Sequence, residues 1–333
     1  MLEYLSALHL PNLLKSWVNL RKTWRNELDA LGLEIGVNWK TLLEVYIPPR
    51  CQPTCTFSED EHYDKPIFTV LNSFFGKTIA GPPQGKDVFF VLAGAGMGKS
   101  SLLGMIHYFS LSRFWPTSEE TLVVKLGSDS IKRIEAIENP SNCILLLDSL
   151  DEDSEAYDDI GRRLLEIIRA VSGRFKRTVV TCRTQFFPQT IERNGSVKIG
   201  SFRCEATYLS PFNSTETESY LRKRYGGAWH RLSYLPLLGW VEAVRRKSGE
   251  EITAEKLVGM MGELSSRPLL LANLEDISRQ SQKVKDAQIL ESQSEYALFR
   301  WLIDGWLDRE HEIIVRQKEN SPTVSAVRPM TFF

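Results

Sequence analysis

Five short apolar runs punctuate the middle of the chain: DVFFVL at 87–92, TLVVKL at 121–126, CILLLD at 143–148, RTVVTC at 177–182 and CEATYL at 204–209. They are too short for buried helices. They also lack the strict alternation of strands with one wet face, and so predict strands buried on both sides of a parallel sheet. Between them the apolar period lengthens to that of a helix, at 102–109, at a polar-faced stretch near 129–138, and at a long amphipathic stretch from 155 to 171. Strand and helix in alternation predict an α/β domain, a doubly wound five-stranded parallel sheet with right-handed crossovers, over 87–210.

On either side the pattern changes. After Pro211 strand patterns stop, and helical spacing recurs at 214–225, 236–247, 253–264, 268–280 and 293–311, which predicts an all-helical subdomain over 211–312. The tail at 313–333, with SPTVSAVRPMTFF, has no period. Residues 1–45 place Leu5, Leu8, Leu13, Leu14, Trp17, Leu20, Trp24 and Leu28 at helical spacing, broken early by Pro11, and read as an N-terminal helical segment. Residues 46–86, with four prolines between 46 and 66 and a glycine/proline cluster around 81–85, read as a linker leading into the domain.

Composition narrows the classes. Across 333 residues the formal net charge is -1, which leaves no electrostatic footprint of a nucleic-acid binder. The basic cluster Arg222, Lys223, Arg224 reads as the solvated face of a helix. The five cysteines (Cys51, Cys55, Cys143, Cys182, Cys204) form no disulfide grid and are expected as reduced thiols. No apolar stretch reaches the roughly 20 residues of a membrane span, and the N-terminus lacks the pattern of a secretory signal. A cytoplasmic protein is expected.

The chemistry is concentrated where two of the strands end. VLAGAGMGKSSLL, residues 91–103, leaves the first strand through three glycines, a lysine and two serines before turning helical. Ala93, Gly94, Ala95, Gly96, Met97, Gly98, Lys99 and Ser100 follow P-loop spacing, with Ala93 where the strict pattern has glycine; Ser101 extends the candidate nucleotide-binding stretch. Backbone N–H groups at such a turn, together with a helix N-terminus, make a nest for phosphate oxygens. Gly94, Gly96 and Gly98 permit positive φ and close backbone approach to phosphate oxygens. Lys99 would lie on the β- and γ-phosphates and the Ser100 hydroxyl on Mg2+.

A motif this short arises by chance in about a few per cent of chains of this length, so it needs a carboxylate to match. CILLLDSLDED supplies one: an aliphatic strand that delivers Asp148 at its carboxyl end as the metal ligand, with Asp151 and Glu152 on the turn beyond as alternative general bases. Arg183, leaving the fourth strand in VVTCR, is a cation that could sense or stabilise the γ-phosphate.

With those residues assembled, the sequence resembles the NACHT family of STAND P-loop NTPases, and its bacterial members most. LAGAGMGKSSLL is similar to the family's Walker A motif. LLLDSLDED is similar to its Walker B, with a small residue, Ser149, after the metal aspartate. VVTCR resembles its sensor strand, YLSPFNSTETESYL the opening of its small helical domain, and SSRPLLLANL the motif whose proline, here Pro268, sits near the nucleotide. The resemblance implies a core of the ASCE type binding ATP or ADP with Mg2+. It further implies a slow regulatory ATPase: ADP holds a closed monomer, exchange for ATP permits self-association, and an attached effector is activated; with none recognisable before residue 45 here, a separate effector or sensor protein is the alternative. Many bacterial members act in antiphage defence. Members usually continue into a winged helix and a repeat region, so the resemblance implies a short or truncated form. Two rival readings stand beside it: an interaction module that binds ATP without hydrolysing it, and a nucleic-acid-stimulated ATPase, against which the near-neutral charge argues.

Overall fold

The computed structural model describes residues 22–35, 38–53, 64–111, 119–189, 191–192, 194–226 and 249–274. The helices expected at 236–247 and 293–311, the later part of 268–280, the tail at 313–333 and the first 21 residues lie outside them.

Each of the five apolar runs is a strand. β3 (Val88–Ala93), β4 (Glu120–Lys125), β5 (Cys143–Asp148), β6 (Arg177–Arg183) and β8 (Phe202–Leu209) all run parallel, in the spatial order β8, β3, β6, β5, β4. The molecule is therefore mixed α/β around a sheet that is mainly parallel. Every residue of β3 and of β5 is buried, as a strand covered on both faces requires. The period of two divides β3 between two cores. Phe89, Val91 and Ala93 face a layer formed by α1 (Lys22–Ile35), α2 (Trp39–Val45), α3 (Ile67–Gly76) and α4 (Lys99–Leu111). Val88, Phe90 and Leu92 face the layer that holds Leu164, Ile167 and Ile168 of α7 (Ile160–Val171). In the first layer the ring of Trp39 lies so close to α4 that a Cβ built on Gly104 would sit 2.8 Å from it.

The structure departs from the sequence pattern in several places. Residues 46–86 are more than a linker. β1 (Arg50–Gln52) adds antiparallel to β8, β2 (Lys65–Pro66) pairs with β1, and α3 packs Ile67, Phe68, Leu71 and Phe74 into the core. β7 (Ser196–Ile199) is a further short strand, antiparallel to β8. The single helix expected over 155–171 is two, α6 (Ser154–Asp158) and α7, because Asp159 leaves the helical region and its carboxylate accepts the Arg162 N–H at 2.9 Å, capping the second helix. The polar helix near 129–138 is shorter, α5 (Ser130–Glu135).

Two compact units divide the chain, one of residues 1–251 with 266–269 and the other of 252–265 with 270–333. α8 (Ser214–Tyr225), the helix expected to open the helical subdomain, falls in the first unit. A capping box starts it: the Asn213 side chain accepts the Glu216 N–H and the Glu216 carboxylate accepts the Asn213 N–H. Arg50 grips its first turn through Glu216 at 3.0 Å, and also pairs with Asp64. Its last turn corrects the reading of the basic cluster as solvated, because Lys223 is largely withdrawn from water and donates to the Tyr46 carbonyl at 2.8 Å. Within the second unit, Ala254, Leu257 and Met261 of α9 (Gly249–Met261) form a buried stripe at helical spacing, followed by a turn in which the Ser265 hydroxyl donates to the Gly262 carbonyl.

Among the described residues no helix is long and apolar enough to cross a membrane. The described cysteines, Cys51, Cys143, Cys182 and Cys204, are free and buried, and burial pushes the Cys182 thiol up to about 12. Such thiols are inert at neutral pH.

Candidate functional site

Parallel strands put all their carboxyl ends on one edge of the sheet, and the sequence's chemistry converges there. β3 stops at Ala93. The backbone then turns through Gly94 to Gly98, and α4 starts at Lys99, with the Leu102 N–H bonded to the Gly98 carbonyl at 2.9 Å. Gly96 and Gly98 hold φ of 73° and 81°, which a residue with a side chain adopts only under strain. Gly94 does not. It lies outside the left-handed region, and among the described residues a Cβ there would come near Met97 alone, at 3.6 Å, so two of the three glycines use the freedom that all three permit. Beyond its chain neighbours, no atom of the described residues lies within 4 Å of a Cβ built on Gly98. Ala95, Ser100 and Ser101 are not fully buried, whereas Met97 is, under the loop.

β5 ends in Asp148, which is 1% exposed. Thr181, on the neighbouring β6, donates its hydroxyl to the Asp148 carboxylate at 2.8 Å and accepts the Ser149 N–H at 2.9 Å. Ser149 itself is left-handed, with φ of 59°, and that backbone bond compensates part of the strain. Burial pushes the Asp148 carboxyl above its ordinary range, and the hydroxyls of Ser100, Thr181 and Ser149 pull the other way by hydrogen bonding to it. The Ser100 hydroxyl of the first turn of α4 thus meets the tip of β5, across a strand that separates β3 from β5 in the sheet.

The two acids beyond Asp148 part company. They lie on one turn, Leu150–Glu152. Asp151 is 4% exposed and faces inward. Its Oδ1 accepts the Arg183 N–H at 3.0 Å, its Oδ2 lies 2.7 Å from Arg183 Nε, and Lys99 Nζ stands 4.0 Å from Oδ1. The Nε–H is not aligned on Oδ2, so that contact is an ion pair rather than a hydrogen bond. Glu152 turns outward, nearly half exposed, to Lys125 Nζ at 3.1 Å. It stays near enough to Asp148 to raise that carboxyl further by like charge. Arg183 itself is Ala93's register partner, so the arginine stands where the loop begins.

Pro268 opens the short helix α10 (Pro268–Ala272), and the next residue, Leu269, donates its N–H to the Gly96 carbonyl at 3.0 Å. A Cβ on Gly96 would approach Leu269 Cβ at 3.0 Å, so a side chain there would crowd Leu269 as well as strain φ.

Lys99, Ser100, Asp148, Asp151 and Arg183 are therefore gathered at one edge, with Glu152 on its outer rim. Thr181, Lys125 and Leu269 were missed by sequence reasoning. A threonine interrupting the aliphatic run RTVVTC was the available clue for the first, and nothing local marks the other two. Among the described residues no three His, Cys, Asp or Glu side chains are grouped to cage a metal. The donor set at Asp148 and Ser100, one carboxylate and one hydroxyl, suits Mg2+, which keeps waters and takes phosphate oxygens for the rest. An open groove of about 550 Å3 lined by Lys77, Asp87, Gly173 and Arg177 lies at the amino ends of β3 and β6, away from this chemistry. Arg177 spends its donors there on the carbonyls of Phe74, Lys77 and Lys176, so its guanidinium is committed to the backbone.

No protein-family model matches the chain, and no curated protein matches it. Among solved structures, a chain from a structure of Drosophila ORC bound to DNA aligns over 70% of this chain and 66% of that one, just under two thirds of its length. The identity is 12% and the TM-score 0.41, a likeness too distant to carry function.

Proposed function

We propose that this protein is an ATP-binding P-loop NTPase of the NACHT type, whose output is a nucleotide-dependent change of state rather than a metabolic product. One arrangement carries the reading: Ser100, in the first turn after the glycine loop, lies beside the buried carboxylate of Asp148 and favours its charged form, while Lys99 Nζ stands 4.0 Å from Asp151 on the turn that follows that strand. A buried carboxylate without a full counter-charge is costly, and a divalent cation at that point would offset it. The five parallel strands, in the order reported above, support a doubly wound core of the ASCE type.

In this reading the loop from Ala93 to Ser101 binds the phosphates through its backbone, and Lys99 neutralises the β- and γ-phosphates. Ser100 and Asp148 would hold Mg2+. The ion, when bound, supplies charge neutralisation on the phosphate oxygens. Glu152 is the better placed of the two acids to accept a proton from water, since its partner Lys125 is a surface ion pair that separates at little cost. Arg183 senses the terminal phosphate, and Pro268 lies next to the loop through its neighbour Leu269. Self-association with ATP, a separate effector or sensor, a cytoplasmic setting and a part in antiphage defence complete the proposal on the strength of the motif resemblance.

The test is the nucleotide retained by purified protein, identified after denaturation, together with phosphate release. Wild type is expected to retain ADP or ATP and to release phosphate slowly. Lys99→Ala is expected to lose the nucleotide, and Glu152→Gln to retain it while releasing phosphate at least about 100-fold more slowly. Unchanged ATP affinity in Lys99→Ala would refute the phosphate assignment.

A further inference from the structure

Two neighbouring carboxylates on one turn are held in opposite ways. Glu152 has a solvated partner and can turn away from it. Asp151 faces one arginine with both oxygens: Oδ1 accepts the Arg183 N–H at 3.0 Å and Oδ2 forms an ion pair with Arg183 Nε at 2.7 Å, with Lys99 Nζ at 4.0 Å from Oδ1. A carboxylate that grips the backbone and the side chain of one arginine at once restricts the rotamers of that arginine. The Arg183 side chain is about a third exposed, whereas the Asp151 side chain is 2% exposed, so the mobile partner is tethered to the fixed one. Through the pairing of Ala93 with Arg183, the tether ends where the glycine loop begins.

We infer that Asp151 is a positioning residue for Arg183: it holds the guanidinium on the same edge as the amine of Lys99, and it acts on the terminal phosphate only through that arginine. The inference rests on the nucleotide reading above and divides the work of the two acids, which the sequence leaves open. Removing Asp151 frees Arg183 to swing into solvent, so a ligand with a terminal phosphate loses a contact that ADP never makes.

The experiment is a double-mutant cycle on nucleotide affinity, read with a non-hydrolysable ATP analogue and with ADP. Asp151→Asn is expected to weaken the analogue about 10-fold and to leave ADP within about twofold. In an Arg183→Met background the same change is expected to leave both within about twofold. Arg183→Met alone is expected to reproduce the pattern of Asp151→Asn, which keeps the test open if the latter folds poorly. Equal losses for analogue and ADP overturn the inference, as does an effect of Asp151→Asn that persists undiminished without Arg183. So does an analogue affinity that stays at the wild-type value while phosphate release is lost, the result expected of a general base. Wild type that binds neither nucleotide overturns the nucleotide reading, and this inference with it; wild type that binds both while the cycle is additive overturns the inference alone.

Discussion

At the scale of single residues, the site is built from charges that would be unfavourable without one another. Asp148 is buried at the end of an aliphatic strand, and burial opposes its ionisation. The groups that favour its charged form are hydroxyls, those of Ser100, Thr181 and Ser149, rather than cations. Asp148→Asn keeps an oxygen to accept the Thr181 hydroxyl and removes the buried charge. The variant is expected to be more stable than wild type without nucleotide, by about 1 kcal/mol, and to lose the Mg2+ dependence of ATP binding. Denaturant unfolding and a magnesium titration check the two halves; a variant less stable than wild type, or an unaltered titration, would count against the metal role. Ser100, Lys99 and Asp148 were legible in the sequence because their spacing encodes them. The inward turn of Asp151 and the outward turn of Glu152 were not, because adjacent residues on a turn are told apart only by what packs around them.

At the scale of elements, the strands that the pattern predicted are those buried on both faces, where aliphatic runs are the physical requirement. β1, β2 and β7 escaped it. They span three, two and four residues, too few to show a period, and β1 finds its partner in β8, far along the chain. The break at Asp159 escaped for a different reason: the apolar stripe continues across it, while the carboxylate caps α7 locally. α8 illustrates how packing changes a residue's chemistry. Lys223, in a cluster that looks solvated, donates to the Tyr46 carbonyl, and burial pulls its ammonium down to about 8. The sign follows: the folded state gives up the proton before the unfolded state does. The contribution of this group to stability is thus fully present above the ordinary lysine value of 10.5 and is lost as pH falls through about 8. The Tyr46 hydroxyl and the thiols of Cys51, Cys143, Cys182 and Cys204 act in the opposite sense, because burial holds their protons in the folded state while the unfolded chain releases them near their ordinary values of 10.0 and 9.0. Lys223→Met is therefore expected to remove a component of stability that rises between about pH 8 and 10.5, read as the difference between wild type and variant in denaturant unfolding followed at each pH. An unchanged slope in the variant would show that the ammonium is solvated.

At the scale of the whole molecule, the proposed switch predicts a change of assembly. Protein loaded with ADP is expected to run at monomer mass, and protein loaded with a non-hydrolysable ATP analogue and Mg2+ as a larger species, in light scattering after gel filtration; identical masses would remove self-association from the proposal. The sequence by itself determined the five parallel strands, where the glycine loop lies, and that Asp148 ends a buried strand, because short-range spacing and apolar continuity encode them. Only the tertiary structure decided that β6 lies between β3 and β5, and that its Thr181 and Arg183 therefore reach Asp148 and Asp151. Strand order depends on contacts between residues distant along the chain, and no local pattern records them.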